Sequence, residues 1–302
     1  MAATTRPATA PTFRIREPRE LASGAVPGRL QVTRDAASNV RGRVGFMARE
    51  LRGRPTTHVY RLRGSRYRAA IRHPLFDMWV LDEIFRNGAY VLPAPVENRL
   101  RRLESAPRVL DLGGHAGLFG LWFRGAFADA LVTSFEPDPE NVAVLRQTVR
   151  VNGLDEKWTV TEAAASTRDG EATFVSDGPL SQFAGTPDAL HEEHATLEAI
   201  FPFLRGQRLL TPREVTVRTE DVMPALANCD FLKLDIQGGE WPLLTDRRFK
   251  DLSAAGLVME LHPQAAPVDD PLAWTTKLLT RLGFTLKVMP AHGKERIIWG
   301  WR

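Results

Sequence analysis

The sequence predicts an α/β protein: a mostly parallel, doubly wound sheet with an antiparallel C-terminal hairpin and an N-terminal α+β extension. Three observations carry this. From Pro107 onward, short apolar runs alternate with amphipathic runs of helical period, the pattern of a parallel sheet covered on both faces. An apolar strand ending in Asp111 passes through Gly113-Gly114-His115-Ala116-Gly117 directly into an apolar helix. The chain closes on Thr285–Met289 and Arg296–Trp301, a late strand pair after a helix that starts near Pro271.

Before Pro107 the elements are less regular. Residues 1–25 are rich in Ala, Thr, Pro and Arg without an apolar period, and read as a disordered basic tail. Residues 26–106 form the extension. Within it, His58–Arg63 and Arg66–Arg72 flank Gly64-Ser65 as a hairpin. After Pro74, the residues Phe76, Trp79, Val80 and Ile84 share one helical face, and Gly88 ends that helix. Its Asp82-Glu83 pair reads as solvated surface or as a partner for nearby arginines.

The glycine loop narrows the ligand. A turn of this kind leaves room for a ligand over the helix N-terminus. A dinucleotide fingerprint needs a second glycine where His115 stands, and no Gly-Lys-Ser/Thr of a phosphate loop is present. Asp-x-Gly-x-x-x-Gly is left, the pattern that goes with S-adenosylmethionine (SAM), although a purely structural strand-to-helix turn has the same spacing. The next strand, from Leu131, ends in Glu136-Pro137, 25 residues after Asp111. An acid at the end of strand two accepts hydrogen bonds from a ribose diol. Asp138 then caps a helix with Pro139 at its first position, with Val142, Leu145 and Val149 as its buried stripe.

Further strands read as Trp158–Glu162, Val215–Arg218, Phe231–Ile236 and Gly256–Leu261. Residues 107–302 thus form the cofactor-binding catalytic domain, with 176–214 as a lid-like insertion too long for an ordinary connection. Its His191-Glu-Glu-His194 has histidines three apart, not the four a zincin helix needs, so it reads as a polar face and no metal site is predicted.

At this point the chain resembles a known family. Asp111-Leu-Gly-Gly-His-Ala-Gly117, Phe135-Glu-Pro-Asp-Pro-Glu-Asn141, Asp230-Phe-Leu-Lys-Leu-Asp-Ile-Gln-Gly-Gly-Glu240 and Met259-Glu-Leu-His-Pro263 resemble, in order, the motifs of FkbM-type SAM-dependent methyltransferases. The resemblance spans roughly residues 70–302 and implies a Rossmann-like class I methyltransferase sheet. It departs at Gly114-His115, where the family usually has Ala-Asn, and at Gln237, where it has Glu. His115 then alters contacts to the methionine end of the cofactor, and Gln237 removes a carboxylate near the reaction centre. Ala163-Ala164, after strand three, leave space for adenine on the same resemblance.

Composition bounds the rest. With 43% hydrophobic and 25% charged residues the chain is an ordinary globular protein. No apolar run approaches the ~18 residues of a membrane span and no continuous apolar leader is visible, so the cytoplasm is expected. The one cysteine, Cys229, reads as a packed thiol. Residues 1–110 hold 21 Arg against nine acids, while the remainder is acidic. Such a region binds nucleic acid, or docks on the acidic half of its own chain or of a second copy in a homo-oligomer. Only six of the 40 basic residues are Lys, so arginine is a chain-wide habit and nucleic acid is disfavoured.

The cofactor site therefore comprises Asp111, Gly113, Gly114, His115, Gly117, Leu118, Glu136, Pro137, Ala164 and Asp235. Methyl transfer from a sulfonium needs in-line alignment and exclusion of water, and an alcohol acceptor also needs a base. His262 has a suitable pKa for that base, while Asp235 orients the hydroxyl or cofactor and Glu260 stands beside them. Asp235 and Glu260 with Mg2+ are a metal-assisted variant. Gln237 and Trp241 face the substrate, Trp241 by stacking on a flat or sugar-like acceptor or else as a core residue; Glu240 caps the helix after strand four. The expected activity is O-methylation of a hydroxyl on a small molecule, a natural product or sugar. N- or C-methylation, nucleic-acid methylation and non-catalytic SAM binding are the alternatives.

Overall fold

The computed structural model describes residues 29–74, 76–176, 182–183, 213–290 and 296–302. The predicted disordered tail and nearly all of the predicted lid, including His191 and His194, lie outside the described residues.

The extension begins with α1 (Arg29–Ala37) and α2 (Arg43–Arg52), followed by the antiparallel hairpin β1 (Thr56–Arg61) and β2 (Arg68–His73). A helix α3 (Phe76–Asp82), a π-helical turn (Glu83–Asn87) and α4 (Ala94–Leu100) lead into the main sheet. Asp82 is buried, bonded to Arg86 and Asn39, which makes it the arginine partner among the two readings.

Seven of the strands read from the sequence assemble into one sheet. The strands β3 (Arg108–Leu112), β4 (Leu131–Phe135) and β5 (Trp158–Thr161) are parallel neighbours, joined through α5 (Leu118–Ala126) and α6 (Pro139–Val151). Two short strands and two longer ones follow: β6 (Ala164–Ser166), β7 (Gly170–Ser176), β8 (Gln182–Phe183) and β9 (Arg213–Asp221). The short helix α7 (Met223–Leu226) precedes β10 (Phe231–Leu234), α8 (Glu240–Thr245) precedes β11 (Gly256–Leu261), and α9 (Pro271–Arg281) precedes β12 (Thr285–Pro290) and β13 (Arg296–Trp301). The main sheet runs β12-β13-β11-β10-β3-β4-β5, with β13 antiparallel to both its neighbours. The chain moves outward from β3 to β5 and then restarts on the other side of β3 with β10. A ligand crevice opens at such a switch point, beyond the carboxyl ends of the strands.

One element departs from the expected sheet. The run around Val215–Arg218 does not join the parallel sheet; as β9 it pairs with β6, β7 and β8 in a separate four-stranded sheet. Its alternation of exposed and buried residues suits a sheet with one wet face, whereas every residue of β10 is buried.

The extension packs on the domain by satisfying an open strand edge. On β2, the Ala70 N–H donates to the Thr148 hydroxyl of α6 at 3.2 Å, and Asn152 bonds both the N–H and the carbonyl of Arg68. An unpaired strand edge is thereby converted into an internal contact. Beneath, α5 is buried from Leu118 to Arg124, and Phe119, Phe123, Phe231 and Trp299 meet at ring-centroid distances of 5.0–6.3 Å. Cys229 is buried, as expected of a packed thiol. Among the described residues no helix is long and apolar enough to cross a membrane.

Candidate active site

The glycine loop is shaped by contacts that only glycine permits. Gly113 has φ +88°, and a Cβ there would lie 1.9 Å from the carbonyl oxygen of Asp235. The loop therefore lies directly against the end of β10. The N–H groups of Gly113 and Gly114 both donate to the Phe135 carbonyl, fixing the loop to β4 as well. Gly117, at φ +81°, starts α5 where a Cβ would meet Leu145 at 2.5 Å.

Asp111 lies beneath this loop. It is fully buried, accepts from the Ser134 hydroxyl at 2.7 Å and sits 3.6 Å from the Lys233 ammonium; Ser134 in turn accepts from the Trp158 indole. Burial pushes its carboxyl up despite Lys233. Asp111 thus ties the strands together directly under the loop expected to hold the cofactor.

Glu136 stands at the end of β4. Its Oε2 accepts the His115 N–H at 2.7 Å, and its Oε1 accepts from the Asp138 N–H and the Asn141 amide at 3.0 and 3.2 Å. Burial pushes the carboxyl up to about 7, against the pull of those donors. Oε2 carries one protein donor and retains a lone pair for another. Pro137 follows as the half-buried link to Asp138, which caps α6 by accepting from the Glu140 N–H and also accepts from the Ser176 hydroxyl. Ala164 is buried at the start of β6 and Leu118 at the start of α5.

The floor of the crevice is a charged network. Lys233, buried in β10, donates to the Gly113 carbonyl at 2.7 Å and pairs with Asp235 at 3.2 Å. Burial opposes its charge, but Asp235 and Asp111 outweigh burial and hold the ammonium above its usual range. Burial likewise works against the Asp235 carboxylate, and Lys233 and His262 overcome it, so Asp235 stays ionised. Tyr90, from the extension, donates to Asp235 Oδ2 at 3.3 Å; burial, then Asp235 and Glu260, push its phenol well up and keep it a donor.

Behind Asp235 the chain turns through Gln237 (φ +52°) and Gly238 into α8. Glu240 Oε1 accepts the Ile236 N–H at 2.8 Å and bonds His262 Nδ1 at 3.0 Å. The expected cap is thus also the carboxylate of a Glu–His dyad. His262 is 3% exposed; burial disfavours its charge, yet Glu240 foremost, then Glu260 and Asp235, hold its pKa well above the ordinary value. The Asp235, Glu260 and His262 side chains each bring one ligand atom within 4.8 Å of the others.

Trp241 takes the other of its two readings. It is 3% exposed, tilts against Trp274 and donates its indole N–H to the His262 carbonyl at 2.9 Å. It positions His262 from within the core. Gln237 is half-buried in the turn that follows β10.

Four contributors lay outside the residues picked from the sequence: Tyr90, Lys233, and the ion pair of Arg72 and Asp77, in which Arg72 Nη2 lies 3.0 Å from His115 Nε2. A lone lysine inside the apolar run Phe-Leu-Lys-Leu before Asp235 was a usable signal, because a buried lysine needs carboxylate partners. The three in the extension have no comparable local mark.

A sequence model described as the methyltransferase FkbM domain matches residues 111–286, more than half of the chain. The chain belongs to this family. FkbM-domain methyltransferases use SAM, and the residues above fit that group. The glycine loop leaves no room for a side chain at Gly113, and Glu136 at the end of β4 keeps lone-pair capacity for a ribose hydroxyl. A release factor glutamine methyltransferase of Deinococcus radiodurans is 25% identical over 200 residues, covering 66% of this chain and 59% of that enzyme. The match thus spans under two thirds of the length of that curated relative. Among solved structures, the FkbM methyltransferase of Methylobacillus flagellatus KT aligns with TM-score 0.41 and 12% identity over 89% of this chain and 58% of that one. A SAM-dependent methyltransferase of Agrobacterium tumefaciens aligns with TM-score 0.39 and 12% identity over 82% and 70%.

Proposed function

We propose that this FkbM-domain methyltransferase methylates a hydroxyl group on a small molecule, a natural product or sugar, with His262 as general base. The observation that carries this reading is the Glu240–His262 dyad beside Asp235 at the carboxyl ends of β10 and β11. Bound SAM supplies an electrophilic methyl on a sulfonium whose departure needs no acid. The protein's remaining tasks are to align the acceptor and remove its proton.

Glu240 holds the Nδ1 side of His262, so the other ring nitrogen is the one that takes a proton from the acceptor. Asp235, kept ionised by Lys233, orients the acceptor or the cofactor beside that nitrogen without taking the proton. Glu260 adds negative charge that stabilises the imidazolium formed. Glu136 and the loop from Gly113 to Leu118, with Pro137 and Ala164 bordering them, hold the nucleoside; Gln237 lies on the acceptor side.

Transfer of isotopically labelled methyl from SAM to a panel of hydroxyl-bearing small molecules tests this. The expected product carries an O–CH3 carbon by NMR. Label found as N–CH3 or C–CH3 would sink the hydroxyl assignment, and label on RNA or DNA would move the acceptor class altogether. SAH binding without transfer to any acceptor would make the chain a non-catalytic binder.

The same carboxylates suit a hard cation, but Lys233 already places an ammonium 3.2 Å from Asp235. A second cation there meets repulsion. Turnover is therefore expected to be unchanged in excess EDTA. Loss of activity on chelation, restored by Mg2+ or Mn2+, would put a metal among Asp235, Glu260 and His262 instead.

A further inference from the structure

Among the polar clusters the mechanism leaves unused is one where the extension meets the glycine loop. Arg72, at the end of β2, is clamped by Asp77: its backbone N–H, Nε and Nη2 all donate to that carboxylate at 2.7–3.2 Å. Asp77 is fully buried, and Arg72 holds it ionised against burial. The same Nη2 lies 3.0 Å from His115 Nε2. His115 is a non-glycine residue at φ +45° in the loop, and its backbone N–H is spent on Glu136.

A guanidinium only donates, so His115 Nε2 must accept. Burial, with Arg72 and Lys233 reinforcing it against Asp77, lowers the imidazole pKa to about 4, and the ring is neutral at working pH. A neutral ring that accepts at Nε2 carries its proton on Nδ1. That nitrogen is buried and has no hydrogen-bond partner among the described residues. A buried donor without an acceptor is costly, and a ligand that supplies the acceptor removes the cost.

We propose that Arg72, from the N-terminal extension, sets the tautomer of His115, and that the His115 Nδ1–H is a donor to the carboxylate at the methionine end of the cofactor. The choice of carboxylate follows from the chemistry of SAM. Its sulfonium and ammonium offer no acceptor, and its adenine nitrogens and ribose oxygens are uncharged acceptors. The carboxylate is the anionic acceptor, and His115 sits just before the N-terminus of the nine-residue α5, where anions are favoured. The extension is then part of the cofactor site, and Arg72 is a positioning residue within it. The inference rests on the cofactor assignment and is tested with ligands that separate the two.

Calorimetry would compare S-adenosylhomocysteine (SAH) with 5′-methylthioadenosine, which keeps the nucleoside and thioether but lacks the amino-acid end. H115A is expected to weaken SAH about tenfold and to leave methylthioadenosine within about twofold. H115N keeps an N–H donor and should recover most of the loss. Because Arg72 alone cannot be removed without stranding buried Asp77, the paired variant R72A/D77A serves; it should weaken SAH by about threefold or more and spare methylthioadenosine. In 15N-labelled wild type, long-range ring correlations assigned with H115N should show the proton on Nδ1, with a shift on adding SAH but not methylthioadenosine. A proton on Nε2, or equal weakening of both ligands in H115A, overturns the proposal while leaving the cofactor site intact. Failure of the wild type to bind either ligand removes the cofactor site and the proposal together.

Discussion

Replacing His262 by alanine is expected to lower kcat by about a hundred- to ten-thousandfold, the usual contribution of a positioned general base, with SAH affinity changed by no more than about twofold. The ring sits behind the reaction floor, 3% exposed, with Glu240 on its Nδ1 and Trp241 on its carbonyl. The pH dependence is the sharper signature. Glu240, Glu260 and Asp235 hold the imidazolium well past the ordinary histidine range, so in the empty site His262 is already protonated at neutral pH. A base must be neutral, and kcat/KM should rise with pH along a limb displaced to the alkaline side of 6.5. Glu240→Gln removes the largest favourable interaction and should slide that limb back toward acid. A positive sulfonium next to the ring works in the same direction, so the limb in kcat should lie below that in kcat/KM. The stability linkage has the opposite sense to the rate. A histidine with a raised folded pKa stabilises fully below its unfolded value and loses that contribution as pH climbs through the folded one. An enzyme whose kcat survives His262→Ala, or whose rate limb stays near 6.5 in both wild type and Glu240→Gln, would not use this dyad as its base.

What was legible in the sequence is what local rules encode. The strand–glycine–helix transition at Asp111 to Leu118 and the capped helix after Glu136 depend on neighbouring residues and on periodicity, and the structure places both as expected. The strand around Val215 was found, but its sheet was misassigned: a short alternating run does not say which partner it will take. The polar wiring is harder still. Tyr90 meets Asp235 across 145 residues of sequence and Arg72 meets His115 across 43. Nothing near Tyr90 or Arg72 marks those encounters, because they arise only when α6 covers β2 and draws the extension onto the domain. His262 and Asp235 were identifiable as strand-end groups, whereas the state of His262 was not, since its charge is set by Glu240 on another element. Trp241 shows the converse: its residue type suits a sugar face, and only burial decides for the core.

Glu136→Gln is expected to weaken SAH binding about tenfold, the loss of one charge-assisted hydrogen bond of about 1.5 kcal/mol. Glutamine keeps the volume but opposes one of its own N–H groups to the donors from His115, Asp138 or Asn141. A melting temperature measured on the empty variant separates that internal conflict from the lost ribose contact. The wild-type pH profile makes the test specific. Burial raises this carboxyl to about 7, so near neutrality the empty protein is divided between a protonated and an ionised Glu136. A ribose diol donates best to the carboxylate, and the affinity for SAH should be constant above about pH 8 and fall by up to about tenfold per unit below 7. The empty fold runs the other way. With a folded pKa above the unfolded value of 4.5, Glu136 stabilises below 4.5 and loses that contribution as pH rises through about 7. The rise in melting temperature produced by SAH should therefore grow with pH across this window and be flat in Glu136→Gln. A binding profile in the wild type that is flat from pH 6 to 8 would mean that the ribose does not rest on Glu136. The three protein donors around that carboxylate would then be its whole purpose, holding the glycine loop against β4.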